Sequence, residues 1–251
     1  MDTCRSTKAL HWLSFGTGLA AAAYGTYVGA AWARYGHPRC PRKNEESDAL
    51  LDRFMPVYEV SLQHQVRVAA PADVTLAAAY DVNLLESKAV RAIFKTREVI
   101  LGGKNEDSEI PASLRAQTEA LGWRVLAEIP NRELVLGAVT QPWAVNFRFL
   151  PVPAWEFAGF QKRGYVKIAW TMRADALGPA ESILKTETRV ATTDESARAK
   201  FRVYWAFFSP GMNLIRRILL RTVKREAERR ACLAEAGEPE VGILGSCGSL
   251  G

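Results

Sequence analysis

Few side chains in this sequence can do chemistry, and their spacing excludes more than it supports. Three histidines occur, His11, His37 and His64, and none has a partner at metal-ligand spacing. His11 falls in a long uncharged run, so metal or triad chemistry built on histidine has almost no material. No Gly-rich phosphate loop, His-Glu-x-x-His helix or Gly-x-Ser-x-Gly elbow is present. Cys4, Cys40, Cys232 and Cys247 lie outside the periodic body or at its end and never as Cys-x-x-Cys, which argues against a disulfide framework and against zinc. No metal and no cofactor is therefore expected. What remains is His64, together with carboxylates that burial could tune for acid–base work. A histidine among apolar neighbours is ordinarily a hydrogen-bonded core residue; the sharper reading is a polar group aimed into a ligand cavity.

The element that carries His64 is a strand. From Tyr58, the residues Tyr58, Val60, Leu62, His64, Val66 and Val68 alternate with Glu59, Ser61, Gln63, Gln65 and Arg67, the period of a half-buried strand. Pro71 and Asp73 then open a short helix to about Tyr80. Ser87 caps a second helix that Gly102 and Gly103 end, and ASLRAQTEALG makes a third. From Trp123 the pattern turns to strands. WRVLAEI and ELVLGAVT flank a turn and form a hairpin, AVNFRFL repeats the alternation through Val145, Phe147 and Phe149, and PAWEFAGF is a short helix laying Trp155, Phe157 and Phe160 over an opening. Two last strands meet at Gly178-Pro179, the first with Val166, Ile168, Trp170 and Met172 on one face.

A long helix over Thr192–Ala231 closes the body, with a break expected at Ser209, Pro210 and Gly211 and a Thr192–Glu195 capping box at its start. Ala197, Phe201, Tyr204, Trp205 and Phe208 share one face of its first half. In its second half Leu214, Ile215, Ile218, Leu219, Thr222 and Val223 form an inward arc opposite Arg217, Arg221 and Lys224. That basic side is a solvated surface or, on an anchored protein, a face toward anionic lipid. The order of elements is α+β: a curved antiparallel sheet of about six strands wrapped around a long, Pro-kinked C-terminal helix. Between sheet and helix an aromatic cavity is expected, with His64, Phe147, Trp170, Phe201 and Trp205 as pocket candidates.

The uncharged run Ala9–Ala33 is long enough to cross a bilayer, although Ala, Gly and Thr dilute it. It is read as an N-terminal transmembrane helix, with a cleaved signal ending at Ala31-Trp32-Ala33 as the alternative. Arg34, Arg39, Arg42 and Lys43 outnumber Arg5 and Lys8, which places the main domain of a single-pass membrane protein in the cytoplasm; signal cleavage would instead make it secreted or periplasmic. The expected organisation is an anchor or signal segment at 1–35, a linker at 36–56, a ligand-binding domain at 57–235 and a disordered tail at 236–251. A net charge of +6 without a recognition motif or surface aromatic array argues against nucleic acid.

The segments QVRVAAPADVTLAAAYDVNL, GYVKIAWTMRAD and TETRVATTDESARAKFRVYWAFFSPGMNLIRR resemble the START-like or SRPBCC superfamily, and more narrowly bacterial proteins described only as SRPBCC family or hypothetical. The likeness runs from about Tyr58 to Ala231. It implies a helix-grip fold with a cavity for a small hydrophobic ligand or lipid; the superfamily includes lipid carriers, polyketide cyclases, plant hormone receptors and aromatic-ring hydroxylase subunits. It carries no shared catalytic motif, and a membrane helix ahead of the domain departs from its usual soluble members. The leading expectation is a membrane-tethered binding module that is not itself an enzyme. The alternatives are a cyclase-like or hydrolytic enzyme using the same cavity, through His64 or a buried carboxylate, and a structural interaction domain whose core is filled by its own side chains.

Overall fold

Alternation along the sequence becomes register in the structure. The computed structural model describes residues 3–35, 48–101, 113–145 and 148–237. Strands β1 (Val60–Val68), β2 (Arg124–Ile129), β3 (Glu133–Thr140), β4 (Val166–Gly178) and β5 (Glu181–Thr192) make a curved antiparallel sheet in the order β1-β5-β4-β3-β2. Among the described residues there are five strands, not about six. In AVNFRFL, Leu150 makes only an isolated bridge with Val139, and the prolines on either side, Pro142 and Pro151, have no N–H to give a ladder. Phe147 lies outside the described residues, as do 36–47 of the expected linker and 238–251 of the expected tail.

Because side chains alternate across a strand, the register sorts every strand residue onto one of two faces. His64, Thr186, Met172 and Leu134 form one cross-strand row, and Leu62, Thr188, Trp170 and Leu136 the next. This inner face is covered by α3 (Ala72–Asp81) and α7 (Glu195–Gly237), which bring Leu76, Ala78, Ala79, Leu219, Leu220, Val223 and Ala227 into one core with Val68, Trp170, Met172 and Leu184. The crossover from β1 to β2 runs through α3, α4 (Lys88–Leu101) and α5 (Leu114–Ala120).

The cap of helix α7 lies two residues beyond the expected Thr192, and the helix begins at Glu195. Thr192 is still paired with Val166 in the sheet, and its hydroxyl donates to Glu59 at 2.6 Å. Asp194 caps instead, accepting from the backbone of Ser196 and Ala197; the N–H of Gly164 foremost, and then these capping bonds, hold its carboxylate low. The helix then runs unbroken through Pro210, so the expected break is absent. Proline cannot donate to the carbonyl of Ala206. Other elements dock at this weakened turn. Tyr24 of α1 (Thr3–Arg34) donates to Phe207 O at 2.5 Å, Tyr27 meets the Ser209 hydroxyl at 2.9 Å, and a side chain on Gly211 would come within 3.0 Å of Ile93 on α4.

Helix α1 therefore leans on α7. Trp32 and Tyr35, at the C-terminal end of this helix, are engaged by protein: Arg202 donates to Trp32 O at 2.7 Å with its guanidinium 4.5 Å from the indole, and Tyr35 meets Trp205 edge-on at 5.9 Å. No helix among the described residues is long and apolar enough to cross a membrane, which corrects the expected transmembrane segment. Its Ala, Gly and Thr residues leave the run short of the necessary hydropathy.

The outer face is covered as well. Residues 48–58, placed in or beside the linker by the sequence, pack there through α2 (Ala49–Asp52), Leu51 and Met55, joined by Phe157 of α6 (Ala154–Phe157), over Val135, Val139, Ala169 and Ala191. Phe157 and Tyr58 thus belong to the outer layer and Trp155 is 80% exposed, so the short helix does not lie over the inner face as expected. Charges buried on this side are paired. Arg189 is clamped by Glu187 at 2.6 Å, by Asp52 and by the Met55 carbonyl at 3.0 Å, and stacks 4.7 Å from the Tyr58 ring centroid. Glu59 accepts from Thr192 and from Arg198. Glu133, buried beside Asp48 and Thr171, is pushed up to about 7, first by desolvation and then by Asp48.

A raised carboxyl binds its proton more tightly folded than unfolded, so Glu133 costs stability progressively as pH rises from about 4.5 to about 7. Glu133→Gln keeps a donor toward Asp48 without the charge. Its stability relative to the parent, from urea midpoints, is expected to climb across that window to an advantage of about 1–3 kcal/mol at pH 8. A pH-independent difference would contradict this.

Candidate functional site

The inner face is where polar side chains are buried without matching partners. At its centre Trp170, 3% exposed, donates from its indole to the Thr186 hydroxyl at 2.6 Å, and Thr186 donates on to the carbonyl of Thr171 at 2.8 Å. That chain is satisfied. On the face of the same indole lies Arg216 of α7, its guanidinium carbon 4.1 Å from the ring centroid. Arg216 is only 7% exposed, its Nε has no hydrogen-bond partner, and among the described residues no carboxylate pairs with it. Burial pushes Arg216 down to about 9, so it remains a cation at neutral pH.

Four further polar atoms of the described residues have no partner on this side: His64 Nδ1, Thr188 Oγ1 and Trp205 Nε1 along the sheet and α7, and Tyr80 Oη on α3. His64 and Thr188 follow from register, since His64 pairs with Thr186 and Thr188 lies between Leu62 and Trp170. Burial lowers the pKa of His64, and Arg216 and Arg217 lower it further, so the ring is biased toward its neutral form. Each buried donor or acceptor left unmade costs about 1–3 kcal/mol, and native cores hold few of them. The contrast within this one protein is sharp: Arg189 on the outer face has two carboxylates and a carbonyl, whereas Arg216 on the inner face has a tryptophan.

The pocket candidates divide into two groups. His64 and Trp170 lie at the Arg216 end. Phe201 and Trp205 stack on each other at 5.6 Å and pack with Val60, Leu62, Val166 and Val190. Trp205 and Arg216 are three helical turns apart, about 16 Å along α7. Phe147 lies outside the described residues. Arg216, Thr186 and Thr188 were not singled out from the sequence. Met212, Arg216, Leu219 and Val223 nevertheless follow the apolar spacing of a helix, so an inward arginine was visible in it. Leu214, assigned to the inward arc, is 47% exposed.

A separate cleft of about 220 Å³ opens beside the outer layer, lined by Tyr58, Glu59, Phe160, Lys167, Thr192 and Arg198 among others. It contains none of the pocket candidates, and its lining charges already hold protein partners: Glu59 takes Arg198, and Lys167 donates to the Ala158 carbonyl at 2.9 Å.

No protein-family model and no curated protein sequence matches the chain. Among solved structures it is similar to the hypothetical protein jhp0584 from Helicobacter pylori, with 10% identity, a TM-score of 0.36, and coverage of 75% of this chain and 99% of that one. It is also similar to CalU16 from Micromonospora echinospora (17% identity, 70% and 88% covered, TM-score 0.24). A third is the Zhui aromatase/cyclase from Streptomyces sp. R1128 (16%, 72% and 99%, TM-score 0.25). Likeness this slight does not bear on function, and the site stands on its own residues.

If the Thr188 hydroxyl serves no structural bond, Thr188→Val should stabilise the ligand-free protein by about 1 kcal/mol. Chemical denaturation measures this directly, and a loss of similar size would show that the hydroxyl has an internal partner.

Proposed function

We propose that the chain is a binding module for a small, largely apolar ligand seated between α7 and the inner face of the sheet, reaching from His64 and Trp170 toward Phe201 and Trp205. One observation carries this reading: His64 Nδ1, Thr188 Oγ1, Trp205 Nε1 and Arg216 Nε, all on the inner side, are buried without partners. Apolar walls with a few convergent polar groups are what small-molecule sites are built from. A domain that only fills its own core gains nothing from such groups and loses stability to each of them. The same place could host acid–base chemistry only through His64, whose Nδ1 has no partner to orient the ring, so binding is the reading the geometry favours.

Nile red, a neutral apolar dye, tests this with the full chain. It is expected to bind at one site and to quench tryptophan emission by energy transfer, since Trp170 and Trp205 border the site. Thr188→Leu places a larger side chain in the row between Leu62 and Trp170. It should weaken the dye at least tenfold while leaving the circular dichroism spectrum unchanged. Equal affinity in parent and variant would put the dye on the surface and remove the reading.

A further inference from the structure

Arg216 says more than that something binds. Its cation sits inside the fold on the face of Trp170, with no carboxylate of the described residues paired to it. A stacked indole occupies the flat face of a guanidinium and leaves its edge N–H donors free, the edge that takes a planar two-oxygen acid. The orphaned Nε lies on that edge, next to one of the terminal nitrogens. Protein cores keep a buried charge when it is paired, and the outer layer shows the pairing this chain uses where the charge is structural: Arg189 between Glu187 and Asp52. Arg216 has no such pair, and the Thr188 hydroxyl beside Trp170 is unengaged as well.

Resting on the binding reading above, we infer that the ligand carries a single acidic group, a carboxylate or sulfonate, which pairs with Arg216 while its apolar body lies along the Trp170–Phe201–Trp205 side of α7. The charge count selects a monoanion. One buried guanidinium neutralises one negative charge, whereas a phosphate dianion would bring in a second with no further buried cation to meet it, since the neighbouring Arg217 is exposed to solvent. Burial and the neighbouring arginines keep His64 toward its neutral form, so it offers a hydrogen bond rather than a second positive charge. The spacing of Arg216 and Trp205 sets the scale of the body: three helical turns, about 16 Å, suits a chain of roughly ten carbons or two to three fused rings.

Competition against Nile red on the full chain tests the inference with two matched pairs, decanoate against decan-1-ol and 2-naphthoate against 2-naphthalenemethanol. At least one acid is expected to displace the dye at a concentration tenfold or more below its alcohol. In Arg216→Met that preference should vanish while Nile red still binds, and Arg216→Lys should restore part of it. The ligand-free Arg216→Met protein is also expected to melt higher than the parent, because a buried charge without a counter-ion has been removed. An alcohol as effective as its acid, or neither acid displacing a dye that does bind at the Thr188-sensitive site, would overturn the acidic group and leave the binding module standing. A lower melting temperature for Arg216→Met would make the arginine a structural residue and also overturn it. Nile red insensitive to Thr188→Leu would remove the module and the inference together.

Discussion

The pairing of β4 with β5, from Val166 opposite Thr192 to Gly178 opposite Glu181, is the interaction on which the other layers depend. It decides parity for the whole sheet: a slip of one residue would turn either Trp170 outward and Thr171 in, or Thr188 outward and Arg189 in. Because both faces of this sheet are covered, neither error would be tolerated. Trp170 would lose its bond to Thr186, and Arg189 would leave two carboxylates for the apolar side of α7. Both layers are thus written into one hairpin, and each constrains the other.

Those layers have different chemistry. The outer one is closed, its acids and arginine bonded to each other, to Ser61, to Thr192 or to backbone. The inner one is apolar over most of its area yet holds an arginine, a histidine nitrogen, an indole N–H and a hydroxyl in deficit. On the binding reading proposed above, stability and function pull apart at such a place, since every group held ready for a ligand weakens the empty protein.

The strands were legible because period two survives in single sequences: β1, β2, β3, β4 and β5 lie where alternation and turn residues place them. The first half of α7 was legible for the same kind of reason, and Ala197, Phe201 and Trp205 are buried as their spacing requires. Pro210 misled, because a proline is tolerated inside a helix when neighbours supply packing and hydroxyl bonds, here from Tyr24 and Tyr27, about 180 residues upstream. Helix α1 misled because length and lack of charge describe a docked helix as well as a spanning one. Asp48 to Pro56 resembled linker because its few apolar residues have no period; what orders it is a set of contacts to distant strands. Arg216 was hidden by its type, since arginine on a helix is ordinarily surface and only the distribution of its neighbours places it inside.

The order of the sheet also governs how the molecule is made. Ser61 on β1 bonds to Glu187 on β5 across 126 residues of chain. Its own strand therefore waits for the strand that the ribosome supplies last of the five, roughly 6–25 s later at ordinary synthesis rates. Until then β1 has an unpaired edge and an uncovered apolar face, while β2, β3 and β4 can pair as they emerge. α7 follows β5 directly and closes the inner face, so sheet completion and burial of that face become a single event.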